Sequence, residues 1–388
     1  VCWAIPYLVV CPVYFFLYKS IRRSNTYTVS QILENTYGRF AKLIGFVVTL
    51  IAFIGICSYQ YRGLAFVLNL TTGLSTDIGT IVSAIIIIVI AMFGGLFSVA
   101  YTDALGAFLI VIACIAAVPF CISAGGGWSN IISAVEPVKL TFSGGRNLFG
   151  WIGGYLPLII LLIGDQNFYQ RMSAAKSDKT ARIGAIGWMV LTGIAVPCVG
   201  IIAFIGSAMF GKNIQAGMAF MSMTTVIPTF MGGILLAAAA AFILTTATSY
   251  LLSGATSITY DFYISYINKA ATDKQKLIIT RWSTPVLGIL AYIILQFFPS
   301  ILAVQNWSYT MIGAGLTSAI IAALIWPRVT KSAGLTSMIL GSGTTLIWEI
   351  LGKPFGIGSA IVAFPVALIS LVIVTLLSSH KTLVNKLN

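Results

Sequence analysis

The sequence predicts an all-α polytopic membrane protein of about eleven transmembrane helices, and three observations carry that prediction. Hydrophobic residues fill 59% of the 388 positions and charged residues only 8%. A soluble domain carries about a quarter charged residues, so this chain cannot clothe a water-facing surface. Apolar runs long enough to cross a bilayer recur along the whole length. The basic residues also alternate in density from one connection to the next, as the positive-inside bias requires.

Bounded by charges or by Gly, Pro and Asn clusters, the spans fall near 1–19, 41–68, 78–97, 100–123, 148–169, 183–210, 229–260, 279–299, 302–327, 334–351 and 357–379. A backbone in lipid must satisfy its own hydrogen bonds, so each is expected as a helix. Taking alternate connections, one side collects Lys19, Arg22, Arg23, Arg39 and Lys42, then Arg171, Lys176, Lys179 and Arg182. It continues with Lys269, Lys274, Lys276 and Arg281, and ends with Arg328, Lys331, Lys381 and Lys386. That is seventeen of the 22 basic residues, leaving Arg62, Lys139, Arg146, Lys212 and Lys353 opposite. The asymmetry accounts for the net charge of +13 without nucleic acid and predicts a cytoplasmic C-terminus. Residue 1 then falls at the outer side within an apolar run, with no initiator Met, so a further N-terminal helix is expected before it.

The cysteines Cys2, Cys11, Cys57, Cys114, Cys121 and Cys198 are scattered through apolar runs. Neither a zinc spacing nor a disulfide framework is present, and the single histidine, His380, excludes a His-based cluster. Gly153–Gly154 with Pro157, Gly94–Gly95, and Gly313 with Gly315 weaken their spans. Such glycines serve close helix packing or a broken helix that lends carbonyls and helix ends to a ligand.

The stretch 237–261, AAAAAFILTTATSYLLSGATSITYD, loads one helix with hydroxyls. Thr245, Thr248, Ser249 and Ser253 recur at helical spacing and share a face. Hydroxyl and carbonyl oxygens suit a monovalent cation that must also leave, and Ser and Thr equally serve as glue between helices. Asp103, in GGLFSVAYTDALG, is a carboxylate within or at the edge of a span, where a charge costs about 2.5–3.5 kcal/mol. Facing the hydroxyl helix, it would complete a mixed carboxylate–hydroxyl cation site; paired with a cation, it would be structural. Asp165, Gln166 and Tyr169 follow the Gly-rich start of their span and could bind a solute, although Asp165 could instead pair with Arg171.

Four stretches in order resemble the sodium:solute symporter family: RRSNTYTVSQILENTYGRF, GGLFSVAYTDALGAFLIV, DQNFYQRMSAAKSDKTAR and LTTATSYLLSGATSITYDFY. The resemblance covers roughly 20–330 and implies a five-plus-five inverted-repeat (LeuT-like) transporter fold. On that template 1–124 is the remainder of the first repeat (core helices two to five), 148–327 is the second (six to ten), and 334–379 is peripheral. The first core helix would precede the chain. The resemblance further implies that Thr245, Thr246 and the carbonyl of Phe242 hold the principal sodium. It implies a second sodium at Asp103, Thr248 and Ser249 with Thr245 shared, and solute contacts at Asp165, Gln166, Tyr169 and Tyr309.

The expected function is therefore sodium-coupled symport of a small organic solute by alternating access, in the bacterial inner membrane. No cofactor is expected beyond Na+ as coupling ion, and the partners are the solute, Na+ and lipid. The competing class is a channel or a non-transporting sensor on the same scaffold, or a proton-coupled carrier. A channel would show a polar pore ring, and none is visible. An enzyme would need a nucleophile–base pair or a metal cluster, and the sequence contains neither.

Overall fold

The computed structural model describes residues 5–211, 214, 217–298 and 300–378, leaving out the side chains of 96–98 and 100. Cys2, Lys212, His380, Lys381 and Lys386 lie outside the described residues. The described chain is helical throughout, without a strand, because in lipid only intrasegment hydrogen bonds are available to an open chain.

The helices begin with α1 (Ile5–Arg23), α2 (Val29–Tyr37), α3 (Arg39–Thr72), α4 (Thr76–Ala124) and the short α5 (Trp128–Ser133). Then come α6 (Leu148–Gly164), α7 (Gln166–Ser173), α8 (Asp178–Phe210), the single turn α9 (Ala219–Ser222), α10 (Thr229–Ser257) and α11 (Asp273–Leu295). The last are α12 (Ile301–Ile312), α13 (Ser318–Ile325), α14 (Lys331–Ile350) and α15 (Ser359–Leu377). Their starts are set by hydroxyl and Asx caps. Asn147 accepts from Gly150 N at 2.7 Å, Ser177 from Thr180 N at 3.1 Å, and Thr272 forms a capping box with Gln275.

Among the described residues, nine helices are long and apolar enough to cross a membrane, so the count of eleven is not reached on that measure. The two expected spans outside the nine are α1 and α14. Both are helical where expected, but α1 ends on Lys19, Arg22 and Arg23, and α14 is rich in Gly, Ser and Thr. Large apolar side chains such as Phe16, Leu105, Phe230 and Ile350 are exposed, as a lipid-facing surface requires.

Three helix interruptions position the site. Gly95, with φ 62° and ψ 173°, divides α4 into the spans Thr76–Gly95 and Tyr101–Ala124; glycine adopts this left-handed geometry without Cβ strain. A π-helical stretch, Gly313–Thr317, separates α12 from α13. The third break falls at Asp165 rather than at Gly153–Gly154 or Pro157, through which α6 runs continuously. The Asp165 carboxylate accepts from Asn167 N at 3.1 Å, so a side-chain cap competes with helix continuation there. Close approach holds this region together: a Cβ at Gly313 would stand 2.0 Å from Ile160 Cγ1. Thr317 also donates to the Ile160 carbonyl at 2.7 Å.

Candidate functional site

α10 packs against α3 and both spans of α4. Its hydroxyls divide by role. Thr245 and Thr246 both donate to the carbonyl of Phe242, at 3.0 and 2.8 Å, which groups three oxygens within one turn. Each hydroxyl keeps its lone pairs free while its proton points at the carbonyl, so the hydroxyls can ligate a hard cation, and the Phe242 carbonyl can join them once their protons turn away. α4 passes close by: a Cβ at Gly106 would lie 3.2 Å from Thr245 Cγ2. The Phe242 side chain itself is exposed.

Asp103 does face this helix. Ser249 Oγ donates to its carboxylate at 3.1 Å. A third group joins them: the Arg171 guanidinium from α7 bonds Asp103 and reaches Ser249 Oγ at 3.1 Å. Arg171 also donates to Asn167 O at 3.1 Å. The two sequence readings of Asp103, cation ligand and ion-pair member, thus meet in one place. A cation arriving there must compete with a guanidinium. Thr248 is buried and turns its hydroxyl to Leu244 O and Thr245 O, at 2.9 and 3.2 Å, rather than to Asp103.

Arg171 pairs with Asp103 and not with Asp165. Asp165, at the α6–α7 break, accepts from Tyr250 Oη at 3.2 Å and lies within electrostatic range of Tyr14, Tyr169 and Tyr309. Tyr309, on α12, shares a 2.9 Å hydrogen bond with Tyr59 of α3 and accepts from Gln305 Nε2 at 3.0 Å. Tyr169 donates to Ile163 O at 3.0 Å. The result is one carboxylate among phenols at a broken helix, whose first backbone N–H groups are already capped by Asp165.

Gln166 has both ends of its amide committed to the protein. Its carbonyl accepts from Val29 N at 3.2 Å, and its Nε2 donates to Ser257 Oγ at 2.9 Å. It thereby cross-links α2, α7 and α10 beneath Asp165. Next to it, Thr28 caps α2 and donates to Asp261 at 2.6 Å. Arg22 reaches over the α7–α8 connection to Asp178 at 2.6 Å and to Ala175 O at 3.1 Å. Arg39 donates to Ser265 O at 2.8 Å.

Arg171, Tyr250, Thr28 and Asp261 were not among the residues expected to act. The signal that finds one of them, Asp261, is a four-residue interval: Thr245, Ser249, Ser253, Ser257, Asp261. On a helix of 3.6 residues per turn, such a row drifts by about 40° per step, so its members meet successive neighbours. Ser249 meets Asp103 and Arg171, Ser253 meets Asn167 at 2.5 Å, Ser257 meets Gln166, and Asp261 meets Thr28.

The four sequence stretches, dispersed over 20–263, therefore converge on one polar seam around α10. The family profile described as Sodium:solute symporter family matches residues 1–341. The chain belongs to this family. It is an integral membrane protein that couples solute movement to sodium. Among similar members, the high-affinity proline transporter PutP of Bacillus subtilis is 24% identical, over 92% of this chain and 78% of that protein. The sodium/proline symporter of Escherichia coli is 25% identical, over 87% and 70%. A sodium/proline symporter of Staphylococcus aureus is 30% identical, over 79% and 63%. In structure the symporter resembles a Na+-coupled sialic acid symporter in its substrate-bound outward-open state. The TM-score is 0.78 with 16% identity, covering 98% of this chain and 85% of that one. It also resembles inward-facing Mhp1, at a TM-score of 0.56 and 11% identity, over 96% and 84%. The fold is thus the inverted-repeat transporter fold.

Proposed function

We propose that this symporter takes up a small zwitterionic amino acid of the proline kind, with sodium bound on α10. The observation that carries the reading is the meeting of Asp103, Ser249 and Arg171 one turn from the Thr245–Thr246–Phe242 oxygens. Principal sodium sits at Thr245, Thr246 and the Phe242 carbonyl, and a second at Asp103 and Ser249, with Thr248 behind them. Asp165 takes the solute's ammonium among the hydroxyls of Tyr169 and Tyr309, and Gln166 braces α2, α7 and α10 beneath them without touching the solute. The proline-transporting relatives support the solute class.

In this reading 1–124 and 148–327 form the two inverted repeats, with 334–379 peripheral. The protein lies in the bacterial plasma membrane with the Arg22, Arg39 and Arg171 face and the C-terminus in the cytoplasm. Sodium and solute stabilise the same occluded state, so each raises the other's affinity by one shared factor.

The test is uptake of labelled amino acids into proteoliposomes under a sodium gradient. Thr245→Ala with Thr246→Ala removes two of three grouped oxygens, and sodium-driven uptake is expected to fall at least tenfold, which is about 1.4 kcal/mol of binding. Unchanged sodium-driven uptake in that variant sinks the sodium assignment. A sodium-dependent thermal shift with sugars or carboxylates, and with no amino acid, sinks the solute assignment.

A further inference from the structure

The hydroxyl row of α10 continues past Ser257 into a π-helical stretch, Ile258–Ile267, and ends there at Asp261. Asp261 is 1% exposed. One carboxylate oxygen holds Thr28 at 2.6 Å, and the other has no hydrogen-bond partner. Ser30 Oγ, on the same side, is fully buried and also has no partner. The hydroxyls of Ser30 and Ser257 face this carboxylate.

The cation that faces it is Lys42, but the Lys42 ammonium sits 2.6 Å from Glu34 and is spent there. The Lys42–Glu34 pair leaves the Asp261 carboxyl without a cation partner of its own. A carboxyl so placed is either protonated or bound to a cation, since desolvation costs several kcal/mol per ion. The groups around it are all hard oxygens: the unpartnered carboxylate oxygen and Ser30 Oγ, with Thr28 bonded to the other carboxylate oxygen and Ser257 Oγ accepting from Gln166. That donor set suits a small monovalent cation held weakly enough to leave.

We propose that Asp261, with Thr28, Ser30 and Ser257, forms a further sodium-binding site, a way-station that the ion occupies between α10's upper oxygens and the face bearing Arg22. The hydroxyls of Ser249, Ser253 and Ser257 form the steps between the two ends. Separation of α2 from this stretch parts Thr28 and Ser30 from Asp261, takes the site apart and lets the ion leave. The site depends on sodium coupling and not on the identity of the solute.

The experiment uses the full chain in proteoliposomes of sorted orientation, with sodium half-saturation of solute flux measured separately at each face. Asp261→Asn keeps the shape and the bond to Thr28 while removing the charge. It is expected to raise half-saturation at the Arg22 face at least fivefold and to leave the other face within twofold. Asp261→Glu, which keeps the charge, stays within twofold at both. Thr245→Ala with Thr246→Ala serves as comparator: it moves both faces, so a failure of the principal site shows separately. Unchanged or equal shifts in Asp261→Asn overturn the proposal. So does sodium-independent solute leak at unchanged half-saturation, which makes the carboxylate a latch, or loss of pH dependence alone, which makes it a proton site.

Discussion

Replacing Gln166 with leucine tests whether this side chain holds the closed seal or touches the solute. The substitution keeps the volume and removes the amide. Two bonds of good length vanish, from Val29 N at 3.2 Å and to Ser257 Oγ at 2.9 Å; the third, to Ser253 O at 3.4 Å, is long enough to neglect. The bond to Ser257 is worth about 0.5–1.5 kcal/mol net, and the buried Val29 N–H left unpaired costs about 1–3 kcal/mol more. Once α2 separates from α7 and α10, water satisfies those groups, so the penalty falls on the closed arrangement alone. A loss of about 1.5–4.5 kcal/mol shifts the closed-to-open ratio by roughly tenfold to a thousandfold. Preloaded proteoliposomes read this directly, as sodium-independent exit of solute. The variant is expected to leak at least tenfold faster with its KM for solute within threefold of the parent. A tenfold rise in KM without leak refutes the reasoning and makes Gln166 a solute contact.

Three further outcomes follow from the same geometry. Arg171→Met removes the guanidinium that competes for Asp103 and Ser249, so sodium titration of uptake is expected to show half-saturation lowered at least threefold. Asp103→Asn, titrated alongside, is expected to raise it. Gly313→Val places a side chain where Ile160 Cγ1 is 2.0 Å from an ideal Cβ, an overpacking cost of about 1–3 kcal/mol. Its thermal midpoint in detergent is expected to fall, while Gly343→Ala, with nothing within 4 Å of the added Cβ, stays within a degree or two of the parent.

Asp261 and Arg171 show why sequence reading located some groups and passed over others. Both fall just beyond the ends of predicted spans, 229–260 and 148–169, whereas Asp103 lies within 100–123, where a charge is costly. Arg171 lies close to a basic connection, which made an interfacial position an adequate account. Asp261 closes the hydroxyl stretch, yet its partner Thr28 is 233 residues away in sequence. Gln166 follows the Gly-rich start of its span, which favours a solute contact, yet its amide is bonded to the protein at both ends. Partnering decides such roles, and a partner more than a hundred residues away has no local signature.

The membrane class, the helical content and the position of nearly every span were determined by the sequence alone. Span length, hydropathy and charge asymmetry are local consequences of the bilayer's thickness and its exclusion of unpaired backbone groups. The hydroxyl row on α10 was equally legible, since side-chain periodicity follows from 3.6 residues per turn. What only the tertiary structure decided was which oxygens remain free. Thr248 back-bonds within its own helix, Ser249 and Arg171 share Asp103, and Asp261 keeps one oxygen unpaired. Those outcomes depend on α2, α4 and α7 meeting α10 at successive turns, and helix packing sets that through distance and shape, not through the order of residues along any one helix.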